Sequence, residues 1–197
     1  MKCLICGMNI NINNFNMNND GLVENNEREH VKYCPFCGVS AVYLKPEDEI
    51  NFKEEIYSEK GMYKVPAESL DENTLVILDH AMKLEIFNSE FYNAAAKLAN
   101  SSDAKQTFEA LSKIEKMHAM VHQKLGGFYE LPKLVKIDYS KHKNDDKSLM
   151  ELAKNREIHA AMFYEKQGGK INNSIVKQVF HALWLVERDH IQIAGNY

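Results

Sequence analysis

The sequence predicts a mainly α protein. It reads as a four-helix bundle built from two repeated helical hairpins joined by a long crossover, preceded by a small β module organised round four cysteines. Three observations carry this. Phe108-Glu-Ala-Leu-Ser-Lys-Ile-Glu-Lys-Met-His118 and Phe180-His-Ala-Leu-Trp-Leu-Val-Glu-Arg-Asp-His190 share the pattern Phe-x-Ala-Leu-x-x-(Ile/Val)-Glu-x-x-His at a constant step of 72 residues. Glu85-Ile-Phe-Asn-Ser-Glu-Phe-Tyr92 and Glu157-Ile-His-Ala-Ala-Met-Phe-Tyr164 keep the same step. All four cysteines fall in two Cys-x-x-Cys pairs near the start. Self-similarity at a fixed step sets the architecture before any local element is assigned.

The 197 residues suit one bundle with a small appended module. A formal net charge of -4 and a pI near 6.1 argue against nucleic-acid and membrane-surface partners. No apolar run approaches the roughly 20 residues of a membrane helix. Met1-Lys-Cys-Leu-Ile-Cys has no signal-peptide apolar region before its cysteines, so a cytoplasmic protein is expected.

Residues 1–45 form the first predicted module. Cys3-Leu-Ile-Cys6-Gly7 and Cys34-Pro-Phe-Cys37-Gly38 are two knuckles 27 residues apart. A two-residue spacer with a following Gly turns backbone amides towards the thiolates, and four thiolates make a tetrahedral site for zinc or iron. In a reducing compartment such pairs read as metal binding rather than disulfides. The stretch from Asn9 to Asn26 is Asn-rich, with Asp20-Gly21 as a turn signal, and Val39 to Leu44 alternates as a short strand would. Residues 46–70 read as a charged linker bracketed by Pro46 and Pro66 and interrupted at Gly61, with a short strand or helical turn in it left open.

The bundle occupies residues 71–197. Its first helix starts near Asp71, with Ser69 or Asp71 as cap, and ends near Asn100; Leu75, Leu78, Met82, Glu85, Ser89, Tyr92 and Ala96 form its inner stripe. Ser101-Ser-Asp103 caps the second helix, which runs to the stop Gly126-Gly127. So short a connection forces antiparallel neighbours. Gly127 to Asn144 is the crossover. The third helix runs from about Asp145 to Gln167, before Gly168-Gly169, and the fourth from about Asn173 to Ala194.

The spacing carries the chemistry. Residues three apart share a helix face, so Glu115 and His118 point one way, as do Glu187 and His190. That face is the apolar one, and a buried charge without a partner is very costly. Two metal ions resolve the conflict. A Glu from each of two helices plus a Glu-x-x-His from each of the other two is the di-iron or di-manganese site of ferritin-like bundles. Glu85 and Glu157 supply the lone carboxylates. Tyr92 and Tyr164, two turns beyond them on the same face, are candidates to hydrogen-bond a metal-bound carboxylate, or are plain buried tyrosines. His122, four residues after His118, either extends the site or reads as a polar helix-end histidine, the latter preferred; Trp184 reads as core, and His80, His159 and His181, without register partners, as surface or core histidines. Glu90, Glu109, Glu151 and Glu165 read as solvated faces.

These residues resemble a known family. Glu85…Tyr92, Glu115-x-x-His118, Glu157…Tyr164 and Glu187-x-x-His190 look like the rubrerythrin branch of the ferritin-like superfamily, over about residues 71–195. The paired knuckles look like a rubredoxin or a rubredoxin-like zinc ribbon, placed first as in the reverse arrangement. The resemblance implies a non-haem di-iron peroxidase that reduces hydrogen peroxide, with electrons passed through the four-cysteine iron centre. Glu85, Glu115, His118, Glu157, Glu187 and His190 would be its catalytic and metal-holding residues, and two bundle irons plus one iron or zinc at Cys3, Cys6, Cys34 and Cys37 its cofactors. It also implies a homodimer, in which one subunit's cysteine centre approaches the other's di-iron site, and a small electron-donor protein or flavoprotein reductase as partner. Two departures stand out. Rubrerythrins carry an extra glutamate three residues after the third-helix ligand, where this chain has Ala160. Rubredoxins place an aromatic soon after the first knuckle and a Trp before the second, where this chain has Met8 and Lys32-Tyr33. A ferroxidase of bacterioferritin type acting with dioxygen, and a non-enzymatic zinc-ribbon protein on a metal-stabilised bundle, are the alternative readings.

Overall fold

Four helices dominate the computed structural model, which describes residues 1–51, 58 and 62–196. They are α1 (Glu72–Leu98), α2 (Ser102–Gly126), α3 (Asp146–Gly168) and α4 (Ser174–Gly195). Each starts where a short polar side chain can take the orphan amides of the first turn. Asp71 accepts from Thr74 N, Ser101 from Ala104 N, Asp145 from Ser148 N, and Asn173 from both Ile175 N and Val176 N. The second helix ends on Gly127, whose φ of +67° lets its N–H reach back to Gln123 and Lys124.

The short α1–α2 and α3–α4 turns make two antiparallel hairpins, and α1 meets α3 as α2 meets α4. Asp146 ties the hairpins together at one end, its carboxylate accepting from Asn100 N (2.6 Å) and Ser101 N (2.9 Å). The crossover between α2 and α3 lays Phe128, Leu131 and Leu134 over Met82, Ile86 and Ala119. The fold is therefore a ferritin-like bundle with an appended β module. Among the described residues no helix is long and apolar enough to cross a membrane.

The module's sheet is two residues deep: β1 (Lys2–Cys3) pairs antiparallel with β2 (Leu44–Lys45). The strand expected over Val39–Leu44 is not there. Ala41–Tyr43 forms a 3-10 turn instead, because the second knuckle already consumes Val39, whose carbonyl accepts from Cys34 N (2.8 Å). The Asn-rich stretch is ordered by buried Asn26. Its amide donates to Phe15 O and Tyr33 O while its carbonyl accepts from Lys32 N and Tyr33 N. Of the linker, Glu47–Glu49 and Ala67–Ser69 are single 3-10 turns, and Gly61 lies outside the described residues.

The module shares its core with the bundle: Leu4, Ile5, Ile10, Val39 and Leu44 join Ile77, Ile114, Phe180, Leu183 and Val186 in one apolar cluster. Two glycines permit the contact. A Cβ on Gly38, whose φ is +71°, would lie 2.8 Å from Val186 Cγ1, and one on Gly21 would lie 3.0 Å from Ile114 Cδ1. The second knuckle thus sits flat on α2 and α4.

Candidate metal centre

Two clusters of ligand-type side chains stand a few residues apart in this shared core. In the module the knuckles are near copies. Cys3 N donates to Met8 O and Gly7 N to Cys3 O; Cys34 N donates to Val39 O and Gly38 N to Cys34 O. Gly7 and Gly38 take φ of +75° and +71°, which L side chains rarely adopt. The four thiols are buried and unbridged, with Sγ atoms 3.7 Å apart for Cys3–Cys37 and for Cys6–Cys34. A tetrahedral ion about 2.3 Å from each thiolate requires sulfurs about 3.8 Å apart, so the set fits zinc or iron as it stands.

In the bundle, α1 brings Glu85, α2 brings Glu115 and His118, α3 brings Glu157, and α4 brings Glu187 and His190. All six are buried. Their donor atoms fall into two overlapping groups, each within 4.8 Å: Glu85, Glu115, His118 and Glu187; and Glu115, Glu157, Glu187 and His190. Glu115 and Glu187 belong to both, as bridging carboxylates would. Glu85 and Glu157 are terminal, one to each group. Both histidines aim Nδ1 inward: His118 Nδ1 lies 3.1 Å from Glu115 Oε2 and 3.3 Å from Glu187 Oε1, and His190 Nδ1 lies 2.8 Å from Glu115 Oε1 and 3.7 Å from Glu187 Oε2. The two rings are nearly parallel, 15° apart, with centroids 6.2 Å apart.

The residues fit two divalent cations by what they leave unsatisfied. Glu85 Oε2, Glu115 Oε1, Glu157 Oε2, both Glu187 oxygens and His190 Nδ1 are buried without an aligned hydrogen-bond partner. Such atoms are rare in native cores and each is costly. Protons alone satisfy them poorly. Burial raises every carboxyl here, yet the facing His118 and His190 hold Glu115 below its usual range, and the same rings hold Glu187 down. Burial and the neighbouring Glu115 and Glu187 charges push Glu85 and Glu157 well up. Burial lowers both imidazoles, but Glu115 and Glu187 outweigh it and carry His190 up to about 9 and His118 well above normal. In the metal-free site Glu115 and Glu187 are thus biased towards the carboxylate, Glu85 and Glu157 towards the neutral acid, and both imidazoles towards the charged form.

The tyrosines cross between hairpins. Tyr92 Oη donates to Glu157 Oε1, and Tyr164 Oη donates to Glu85 Oε1. Each tyrosine therefore serves the lone glutamate of the other hairpin rather than the one preceding it on its own helix. His122 is a correction. It is fully buried, not at a polar helix end, with Nε2 2.7 Å from Tyr164 Oη. Its four-residue spacing from His118 is the sequence signal for it, and its place near the polar end of α2 the signal against. Trp184 sits at the core margin, stacked on His181 and under Arg188. His80, His159 and His181 are exposed, as are Glu90, Glu109, Glu151 and Glu165. Ala160 is fully buried, so α3 offers the site one carboxylate only.

The two clusters touch. His118 Nε2 lies 2.9 Å from the backbone carbonyl of Cys37. With Nδ1 turned to the carboxylates, Nε2–H donates to that carbonyl, which fixes the ring and its tautomer. Within one chain, the bundle cluster and the cysteine cluster are thus joined by a hydrogen bond.

One carboxylate from each of two helices and a Glu-x-x-His pair from each of the others, in a bundle with a crossover, define a ferritin-like two-metal carboxylate protein. Residues 76–196 match the family model Rubrerythrin, and with well over half its length matched the chain belongs to the rubrerythrin family. Comparison with curated proteins and with solved structures yields no significant match.

Proposed function

We propose that the protein is a non-haem di-iron oxidoreductase that reduces hydrogen peroxide with electrons delivered through an iron at Cys3, Cys6, Cys34 and Cys37. The observation that carries this reading is the His118–Cys37 hydrogen bond: a buried ligand of one cluster bonded to the backbone of the other's. A storage site has no use for such a link. Glu85, Glu115, His118, Glu157, Glu187 and His190 would hold a pair of ferrous ions, which would supply the two electrons that peroxide needs, with two protons, to become two waters. The chain's own part is to hold the ligands without rearrangement, keep bulk water out of a fully buried site, and keep phenolic protons at Tyr92 and Tyr164 on the terminal carboxylates. The expected setting is the cytoplasm, with a homodimer and a small donor protein or flavoprotein reductase as electron source.

Ala160 favours a second reading. Without a glutamate beside Glu157, the site has six protein ligands and no alternative carboxylate on α3, as suits a ferroxidase that oxidises added ferrous ion with dioxygen. Stopped-flow reoxidation of the diferrous protein separates the two. The peroxidase reading expects hydrogen peroxide to react much faster than dioxygen. Faster reaction with dioxygen, with ferric product accumulating from added ferrous ion, selects the ferroxidase.

A further inference from the structure

The match between the two hairpins breaks at a buried position beside the site, His122. The repeat step from His122 lands on Ala194, which packs in the cluster of Tyr92 and Phe108. His122 instead stacks on Tyr164, with ring centroids 5.8 Å apart and planes 29° apart, and meets Phe180 edge-on at 5.4 Å. Tyr92 hydrogen-bonds Glu157, whereas Tyr164 has two polar neighbours, Glu85 Oε1 and His122 Nε2.

A phenol has one proton to give. When Glu85 holds a cation it is a carboxylate, so Tyr164 must donate to it. His122 must then donate Nε2–H to the phenol oxygen. Burial pushes the His122 imidazole down, so it stays neutral with a single N–H. That leaves Nδ1 bare, and Nδ1 is indeed buried without a partner. Accepting a hydrogen bond at oxygen polarises the O–H, so the chain His122 to Tyr164 to Glu85 is stronger than Tyr92 to Glu157 alone.

We propose that His122 is a positioning residue: in its Nε2–H tautomer it donates to Tyr164 and so commits the Tyr164 proton to Glu85. The metal position of Glu85 and His118 then has a two-bond support that the position of Glu157 and His190 lacks. This rests on the two-metal reading of the site. It also places His122 on α2, the helix whose His118 meets the Cys37 carbonyl.

The test uses the full chain loaded with zinc, which is diamagnetic. Nitrogen-15 NMR of the histidines, with His122 assigned by the signal lost in His122→Gln, reads the tautomer directly. The expected result is a protonated Nε2 and a bare Nδ1. Zinc titration of His122→Phe, which keeps an aromatic ring beside Phe180, is expected to weaken one of two binding steps about tenfold and leave the other unchanged. His122→Gln, whose amide can donate to Tyr164, is expected to restore most of the loss. A protonated Nδ1 in protein holding two zinc ions overturns the inference alone, as does His122→Phe shifting both steps equally or neither. Wild-type protein that takes up no pair of ions overturns the two-metal reading and this inference with it. The tautomer is read on wild-type protein, so the test stands even where His122→Phe fails to fold.

Discussion

The two hairpins carry the same ligands on the same register and differ in what stands behind them. Behind His118 is the carbonyl of Cys37, a residue of the other cluster; behind His190, Nε2 has no partner. Behind Tyr164 is His122; at the matching place in the other half is Ala194. Duplication is enough to build a symmetric pair of metal positions. What tells the two positions apart is a set of one-sided contacts added outside the repeat.

The largest expected effect tests the part that is shared. Glu115 faces both imidazoles, so Glu115→Ala removes a carboxylate common to both metal positions and leaves two buried cations without their main counter-charge. Loss of both bundle ions and about 3–5 kcal/mol of stability is expected, read by elemental analysis and chemical denaturation. Glu85→Ala, at a terminal ligand, is expected to spare the ion at Glu157 and His190. Equal loss from both variants breaks the distinction between bridging and terminal carboxylates.

A smaller effect sharpens the asymmetry. Gly38→Ala puts a methyl 2.8 Å from Val186 Cγ1 at a φ of +71°, at a cost of about 1–3 kcal/mol. The expected outcome is a module lifted from α4 and a slower electron supply, with both bundle ions still bound. Unchanged reduction kinetics count against the seating of the knuckle on the bundle as the route.

The smallest effect is on pH. The metal-free site favours ionised Glu115 and Glu187 against charged His118 and His190, with Glu85 and Glu157 biased towards the neutral acid; two cations on four carboxylates and two neutral imidazoles balance to the same net charge. Loading two divalent ions near neutral pH should therefore release about four protons, measurable by calorimetry in buffers of different ionisation enthalpy. The stability signs follow. His190, raised to about 9, stabilises the metal-free fold below its unfolded value of about 6.5, and that contribution fades as pH climbs through 9. Glu85 and Glu157, also raised, cost stability increasingly above an unfolded value of about 4.3. Metal-free Tm should fall by about 2–4 °C for each kcal/mol lost between pH 7 and 9. Metal-loaded Tm should instead fall on acidification.

Most of this architecture was legible in the sequence because repeats and caps are local signals. Asp71, Ser101, Asp145 and Asn173 mark all four helix starts, and the repeat placed six ligand side chains on inward faces. Long-range seating was not legible. Nothing in Cys34-Pro-Phe-Cys37-Gly38 says that its carbonyl meets α2, since that contact depends on the shape of both surfaces and on two glycines that let them close. The Val39–Leu44 alternation misled because knuckle hydrogen bonds outcompete pairing in so small a sheet. His122 was legible only as a residue one turn beyond His118, because its burial and its contact with Tyr164 depend on how α3 packs in the bundle.

The central claim is that the cysteine cluster and the first hairpin form one electron path inside a single chain. Fully reduced protein, loaded with iron at both clusters and mixed anaerobically with one equivalent of hydrogen peroxide per chain, tests it by stopped-flow absorbance. The account predicts that the red colour of the oxidised four-cysteine iron returns after peroxide is consumed, in a first-order phase whose rate does not depend on protein concentration. It also predicts that Cys34→Ser still consumes the first equivalent but cannot turn over steadily with a reductant. A four-cysteine site that stays bleached while peroxide disappears, or a Cys34→Ser variant that turns over normally, would contradict it.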